Sequence, residues 1–464
     1  MFCRRTQETA QPVERIDSQS GIALLLVLLI ILSLTAISVS LVLFTQSGSQ
    51  LTGTMASRSQ AYYAALAGLE EGRGRLNPFA ADALLTLPQQ VNQVLYLVNG
   101  TSQDPVNPTN TSSPYYDYEY AREFSGGLSS AQVLPSVASD QPGAGTSYVI
   151  PYKWVRVTLK TEYASKTDVN QDGVLNSSTP VYWDGTHQDL ATNMPNGLPV
   201  YMVTALAVEP NGIRNMEQEE VVGTPPLVPA GGVGTAGSAT LAGISPRLQL
   251  PSNLTLNGLD NCPGVQNPQN LPGIAAGSTI STSGLMSIQG NPPEQPSSSF
   301  LPSQSAANII QGLFPQAVPI LNADPTGVTL ASGGESLVGT NVALGQLPSG
   351  SSPGQPVAVY ADRSLAISGS ASTGYGILLV NGDLSITGGF NYWGLIVSNG
   401  KITLTLNHMG SITIRGSLTS AGNLSISSWA SHHNSLNVTY DSCVVADTFR
   451  SLPLGTRSFK QLSF

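Results

Sequence analysis

The chain has 464 residues, of which 10% are charged, with a net charge of -9 and Gly and Pro together at about 17%. An ordinary soluble domain carries about 25% charge and a nucleic-acid binder presents a basic face, so neither description fits and no nucleic-acid partner is expected. Sparse charge with abundant Ser, Thr and Asn suits an exported protein.

Gly21 to Phe44 is one apolar run, and no charged residue stands between Asp17 and Arg58. At 1.5 Å per residue the run reaches about 36 Å, against a bilayer core of about 30 Å. A secretory signal has a shorter apolar region, of about 7–15 residues, with its cleavage site behind it. Here the small residues Ser20 and Gly21 stand in front. Two readings follow: a chain clipped before its membrane helix, and an uncleaved signal anchor. Arg4, Arg5 and Arg15 outnumber the single Arg58 beyond the run, which favours an N-terminus inside and the bulk outside.

Ser57 to Leu76 is rich in helix formers. Tyr62, Ala65, Leu66, Leu69 and Leu76 fall on one helical stripe, with Glu70, Glu71, Arg73 and Arg75 expected on the remaining surface and Pro78 closing the segment. A single helix from Ile22 to about Leu76 would span roughly 80 Å, half in lipid and half amphipathic. Gly48 and Gly53 mark where a local break is expected.

This combined pattern resembles the PilX-type minor pilins of the type IV pilus system. In that family a polar leader ends in Gly, a prepilin peptidase cuts after it, and an apolar helix continues into a motif like RxxQAxYxAxAGLEEA. Arg58, Gln60, Ala61, Tyr63, Ala65, Ala67, Gly68, Leu69, Glu70 and Glu71 stand here in that order. The resemblance covers roughly residues 20–76. It implies a leader at 1–21, processing between Gly21 and Ile22, and a pilin helix at 22–76. It also implies partners: other pilins, the inner-membrane assembly machinery and the prepilin peptidase. The protein would sit in the bacterial inner membrane before assembly, then in a surface pilus or the periplasm. One position departs from the pattern. Major pilins carry Glu at the fifth mature position, where this chain has Leu26; the family analogy associates its loss with subunits at a fibre tip.

Residues 77–224 read as a small α+β domain. Tyr148 to Tyr163 alternates as a strand, with Trp154, Val157 and Leu159 prominent. Pro199 to Val222 reads as a hairpin about Pro210-Asn211-Gly212. Residues 100–145 read as loop, with the tyrosines of 115–124 either packing on the sheet or serving adhesion. A long helix followed by an antiparallel sheet is also what the pilin resemblance implies.

One motif carries chemistry. Asp168, Asn170 and Asp172 offer oxygens at positions 1, 3 and 5 of a calcium-type loop. Gly173 permits the turn, Val174 would offer its carbonyl, and Asn176 holds position 9. Position 12 is Thr179 instead of Glu, with Asp184 further on. The expectation is a weak structural Ca2+ site; the other reading is an Asx-rich turn.

Residues 225–245 read as a Gly/Pro linker and 246–464 as a Ser/Gly-rich all-β domain. Its last quarter repeats a strand–Gly turn–strand unit, with turns at Gly382, Gly400 and Gly422, 18 and 22 residues apart. The segments 363–370 and 410–417 echo the second strand. Leu384, Ile386, Ile402, Leu404, Leu424 and Ile426 are expected inside a solenoid-like stack, with a sandwich of hairpins as the competing form. YGILLVNGDLSITG and NVTYDSCVVAD extend the family likeness, less specifically. Cys262 and Cys443 are an even pair once Cys3 leaves with the leader, and a disulfide between them would close a long loop.

No enzyme is expected. Asp362, Asp383, Asp441, Arg363, Lys401 and Arg415 look scattered, one per repeat. His432 and His433 would face opposite sides of a strand. The whole reads as a pilin helix, a small antiparallel-sheet domain and a solenoid-like β domain. Its outer surface would suit a surface protein or glycan ligand.

Overall fold

The structure is a computed structural model; it describes residues 20–79, 83–84, 87–100, 103–119, 131–135, 152–194, 197–227, 229–243, 254–263, 268–296, 303–350, 352–407, 410–428 and 435–462. Residues 1–19 of the leader and His432–His433 lie outside the described residues.

Ser20–Arg75 is one helix of 56 residues. It passes through Gly48 and Gly53 without the break the sequence suggests; a Cβ added at either would meet nothing within 4 Å. From Ile22 to Phe44 every side chain is exposed. Ser33, Thr35, Ser38, Ser40 and Thr45 fold their hydroxyls back onto carbonyls three or four residues earlier, at 2.8–2.9 Å. Those polar groups thus need no partner outside the helix.

The second half of the helix is seated on a six-stranded sheet. The sheet order is Ala131–Pro135, Val94–Val98, Tyr152–Leu159, Tyr201–Val208, Arg214–Val222 and Gly455–Leu462. The first pair is parallel and the rest antiparallel. Ala61, Ala64, Ala65, Leu69 and Leu76 bury against Val155, Val157, Leu159, Val203, Ala205 and Val221. The closest approach is at glycine: a Cβ on Gly72 would lie 2.6 Å from Val203 and 2.8 Å from Val155.

The expectation that Glu71 and Arg75 lie on open helix surface is corrected. They pair at 3.1 Å with nearly buried side chains, and the Tyr152 hydroxyl donates to Glu71. The helix ends beside the sheet, so its last turn faces protein.

Trp154 points to the opposite face from Val157 and Leu159, where it packs with Tyr96, Leu206 and Met216. Its indole Nε1 donates to the Tyr115 carbonyl at 2.8 Å. The segment read as loop also contains the strand Ala131–Pro135. Tyr115 packs on the sheet while Tyr118 is exposed. The hairpin turn is as read: Gly212 has φ +83°, and its N–H donates to the Glu209 carbonyl at 2.8 Å.

The remainder forms an 18-stranded, mostly parallel sheet that nearly closes on itself. Its strands fall into three stacked rows. In one, Leu337, Leu365, Leu384, Ile402, Leu424 and Ala239 stand in register. In a second, Phe390, Ile412, Leu436 and Leu254 do so. In the third, Leu378, Ile396, Leu418, Val233 and Ile274 do so. Leu384, Ile386, Ile402, Leu404, Leu424 and Ile426 are all buried, as the pattern implies. GILLV and GLIV in the third row are apolar without alternation because both sides are covered. Ile377, Leu379, Leu395 and Val397 face outward against the helices Ser303–Leu313 and Ser442–Arg450.

Three assignments change. Within the presumed linker, Val233–Thr235 and Ala239–Ala242 are strands that bury Val233, Ala239 and Leu241; the turn between them needs a glycine because a Cβ on Gly237 would lie 2.8 Å from the Gly422 carbonyl. The segment 410–417 belongs to the second row, opposite Phe390–Trp393, instead of echoing Leu384–Thr387. The final strand, Gly455–Leu462, leaves the parallel sheet and completes the six-stranded one.

Candidate functional site

Ser20, Gly21 and Ile22 lie in the first turn of the long helix, with Ile22 largely exposed. This is the one helix among the described residues long and apolar enough to cross a membrane. Its two halves are chemically opposed: an exposed apolar half, and a half whose apolar stripe its own sheet already covers. The first half has surface that only lipid or other apolar helices would satisfy.

The sheet beneath is locked from its far side. Arg156 is fully buried and pairs with Asp117 at 2.7 Å and Glu119 at 2.6 Å; Tyr96 also donates to Asp117 at 2.9 Å. Desolvation works against the guanidinium charge, yet the two carboxylates outweigh it and hold its pKa above the ordinary arginine value. These groups tie the 103–119 segment to the sheet. The sequence carried no signal for them beyond acids in a tyrosine-rich stretch.

The 168–176 loop brings its predicted residues together. Asp168 accepts from Asp172 N at 3.3 Å and Gly173 N at 2.8 Å, Asn170 Oδ1 from Asp172 N at 3.1 Å, and Asp172 from Val174 N at 2.7 Å. Gly173 takes φ +82°. The organising residue is one the sequence reading missed: Glu162 is fully buried in the short helix Glu162–Ser165. It accepts from Val169 N at 2.9 Å and Asn176 N at 3.0 Å. Asp184 turns away, accepting from Thr186 N at 2.7 Å and His187 N at 2.9 Å. Those backbone bonds hold its pKa to about 2. The donor set fits calcium incompletely, since Thr179 holds the place of the bidentate Glu and Asp184 is turned to Thr186 and His187. The loop's own N–H groups account for its shape.

Cys262 and Cys443 are bonded, with Cα atoms 5.3 Å apart and a sequence separation of 181. Asp441 and Arg415 are not scattered turn residues: they pair at 2.7 Å, with Arg415 over the Trp393 ring at 4.5 Å. Asp441 also caps the helix Ser442–Arg450 through Val444 N at 3.0 Å. Asp383 accepts from Lys401 N of the next turn at 2.7 Å. A cleft of about 530 Å3 lies between Trp183, Pro225, Ile309, Leu313 and Phe449, with Arg457 over the Trp183 ring at 3.9 Å. Among the described residues that line it, Asp184 is the one acid.

No family model matches the chain, and no curated protein matches it. Among solved structures, the competence-associated pilin ComZ from Thermus thermophilus aligns at 11% identity, covering 64% of this chain and 90% of that one, with a TM-score of 0.15.

Proposed function

We propose that this chain is a pilin-type structural subunit of a type IV pilus, of the PilX-like minor class. The observation that carries the reading is the division of one 56-residue helix into an exposed apolar half and a half buried on its own sheet. Such a helix inserts in the membrane as a monomer and packs among other pilin helices in a fibre. Processing between Gly21 and Ile22, other pilins and the inner-membrane machinery belong to the same reading, as does passage from inner membrane to surface. The parallel sheet is taken as a β-solenoid, supported by the in-register columns through Leu384, Ile402 and Leu424. Its bulk favours the fibre tip, where Ser- and Thr-rich rows would meet a surface protein or glycan. The role is structural, with no catalysis.

The test is the N-terminal residue of the membrane-purified protein, by mass spectrometry, with and without the prepilin peptidase. A peptidase-dependent start at Ile22 is expected. A start at Met1 in both strains would reject the pilin reading and favour a signal-anchored adhesin. A type II secretion pseudopilin is the other alternative. A deletion strain that loses secreted enzymes but keeps fibres and motility would favour it.

A further inference from the structure

Val233–Gln295 comes early in the chain yet supplies the two layers at one end of the parallel sheet. Its inner layer sits on the last layer the chain makes. Val233–Thr235 pairs with Leu418–Ser420, Ala239–Ala242 with Leu424–Ser427, and Leu254–Asn257 with Leu436–Thr439. Its outer layer meets the body only through the inner one: Ile274–Ala276 on Val233–Thr235, Ile280–Ser283 on Ala239–Ala242, and Ser287–Gln289 on Thr255–Asn257, with the short strand Glu294–Gln295 added beyond Ile274–Ala275.

Toward this end the apolar columns taper: Ile280 opposite Ala239 and Ile288 opposite Leu256 continue them only half-buried. Thr282 stands in register with Leu241, and Glu294 with Ile274; both are exposed. Polar residues at column positions are what a terminal capping layer needs. Among the described residues, strand pairing therefore holds this segment to the body through one interface.

A covalent bond spans that interface. Cys262 follows the inner layer and Cys443 lies in the helix after the last layer. Around it, Asp260 accepts from Ser442 N at 2.9 Å and Ser442 Oγ at 2.6 Å. Asn261 N donates to the Tyr440 carbonyl at 3.1 Å, and Tyr440 N to the Asn257 carbonyl at 2.8 Å. Every one of these contacts joins the early segment to the late one.

We infer that Val233–Gln295 is a separable end cap, a unit that opens independently of the rest of the stack and that the Cys262–Cys443 bond holds shut. Neighbouring layers elsewhere are continuous in the chain, so separating them strains the backbone; here the layers in contact are far apart in sequence. The bond restores that missing continuity and keeps the local concentration of the cap high. An open cap would bare the edges of Leu418–Ser420, Leu424–Ser428 and Leu436–Thr439, a row of unpaired backbone groups of the kind that other chains pair with. The inference does not rest on the pilin reading.

Hydrogen exchange read by mass spectrometry on the full chain in detergent tests it, comparing the oxidised protein with Cys262→Ser/Cys443→Ser. Peptides within 233–289 should exchange at least about tenfold faster in the variant, while those within 365–406 stay within about twofold. Unchanged exchange in 233–289 would overturn the latch. Equal acceleration in both regions would overturn the separable unit. If the variant fails to fold, the folded wild type treated with dithiothreitol gives the same readout. The dithiol becomes a cyclic disulfide as Cys262 and Cys443 become thiols.

Discussion

Gly72 and Gly74 stand two residues apart in the same helix and should respond to alanine with opposite signs. A methyl at Gly72 meets Val203 and Val155 well inside van der Waals contact, whereas one at Gly74 would meet nothing within 4 Å. Overpacking should cost Gly72→Ala about 1–3 kcal/mol, and Gly74→Ala should gain up to about 1 kcal/mol from helix propensity. Thermal melts of the full chain in detergent check both; equal effects would mean the helix is not seated as described. The apolar stripe through Ala65, Leu69 and Leu76 was legible from spacing. Gly68 and Gly72 were not, because a glycine chosen for closeness looks like one chosen for freedom. Glu162 was hidden for a related reason: a buried acid whose partners are backbone N–H groups leaves no complementary residue in the sequence. Glu162→Ala strips the bonds to Val169 N and Asn176 N and should cost roughly 1–3 kcal/mol. Since the loop closes through its own N–H groups, millimolar CaCl2 and EGTA should leave the wild-type melting temperature alike. A calcium-dependent rise that Asp172→Ala abolishes would identify a cation site.

Arg214–Val222 is the element where charge and pairing conflict. It lies between Tyr201–Val208 and the closing strand Gly455–Leu462, and it buries Glu217 and Glu219. Desolvation raises both carboxyl pKa values above the usual 4.5; the Asn215 bond to Glu217, and Thr456 with Arg73 near Glu219, offset it only partly. A carboxyl raised in the folded state contributes stability that is full below its unfolded pKa and is lost as pH rises through the folded one. Glu217→Gln should therefore raise the melting temperature at pH 7 and leave it nearly unchanged at pH 4. An equal shift at both pH values would remove burial of the charge as the cause. The hairpin containing this strand was legible from alternation and from Pro210-Asn211-Gly212. The strands Val233–Thr235 and Ala239–Ala242 were not, since their Gly/Ala composition matches a linker's. What sets them apart is the layer they pair with, which approaches too closely at Gly237 for a side chain, and that layer comes nearly two hundred residues later.

The same distance governs the whole molecule. Repeats with turns at Gly382, Gly400 and Gly422 revealed the stacking because those layers are consecutive; each turn N–H bonds the glycine carbonyl of the turn before at 3.0 Å. Pairing between early and late segments carries no such periodicity, so neither the end cap nor the return of the last strand could be read. That return makes the first sheet depend on the chain's last residues: Leu462 packs on the Trp154 side, Leu454 on the helix side, and Gly455–Leu462 covers the edge of Arg214–Val222. The six-stranded sheet is thus completed by residues that follow the parallel sheet in the chain, which couples the two sheets. A chain stopped after Pro453 keeps Cys443 and every layer of the parallel sheet. Its amides in Arg214–Val222 should exchange at least about tenfold faster, while those in 365–406 keep their protection. Unchanged exchange in Arg214–Val222 would mean that the other five strands hold the sheet alone. Loss of protection in both regions would make the molecule one cooperative unit.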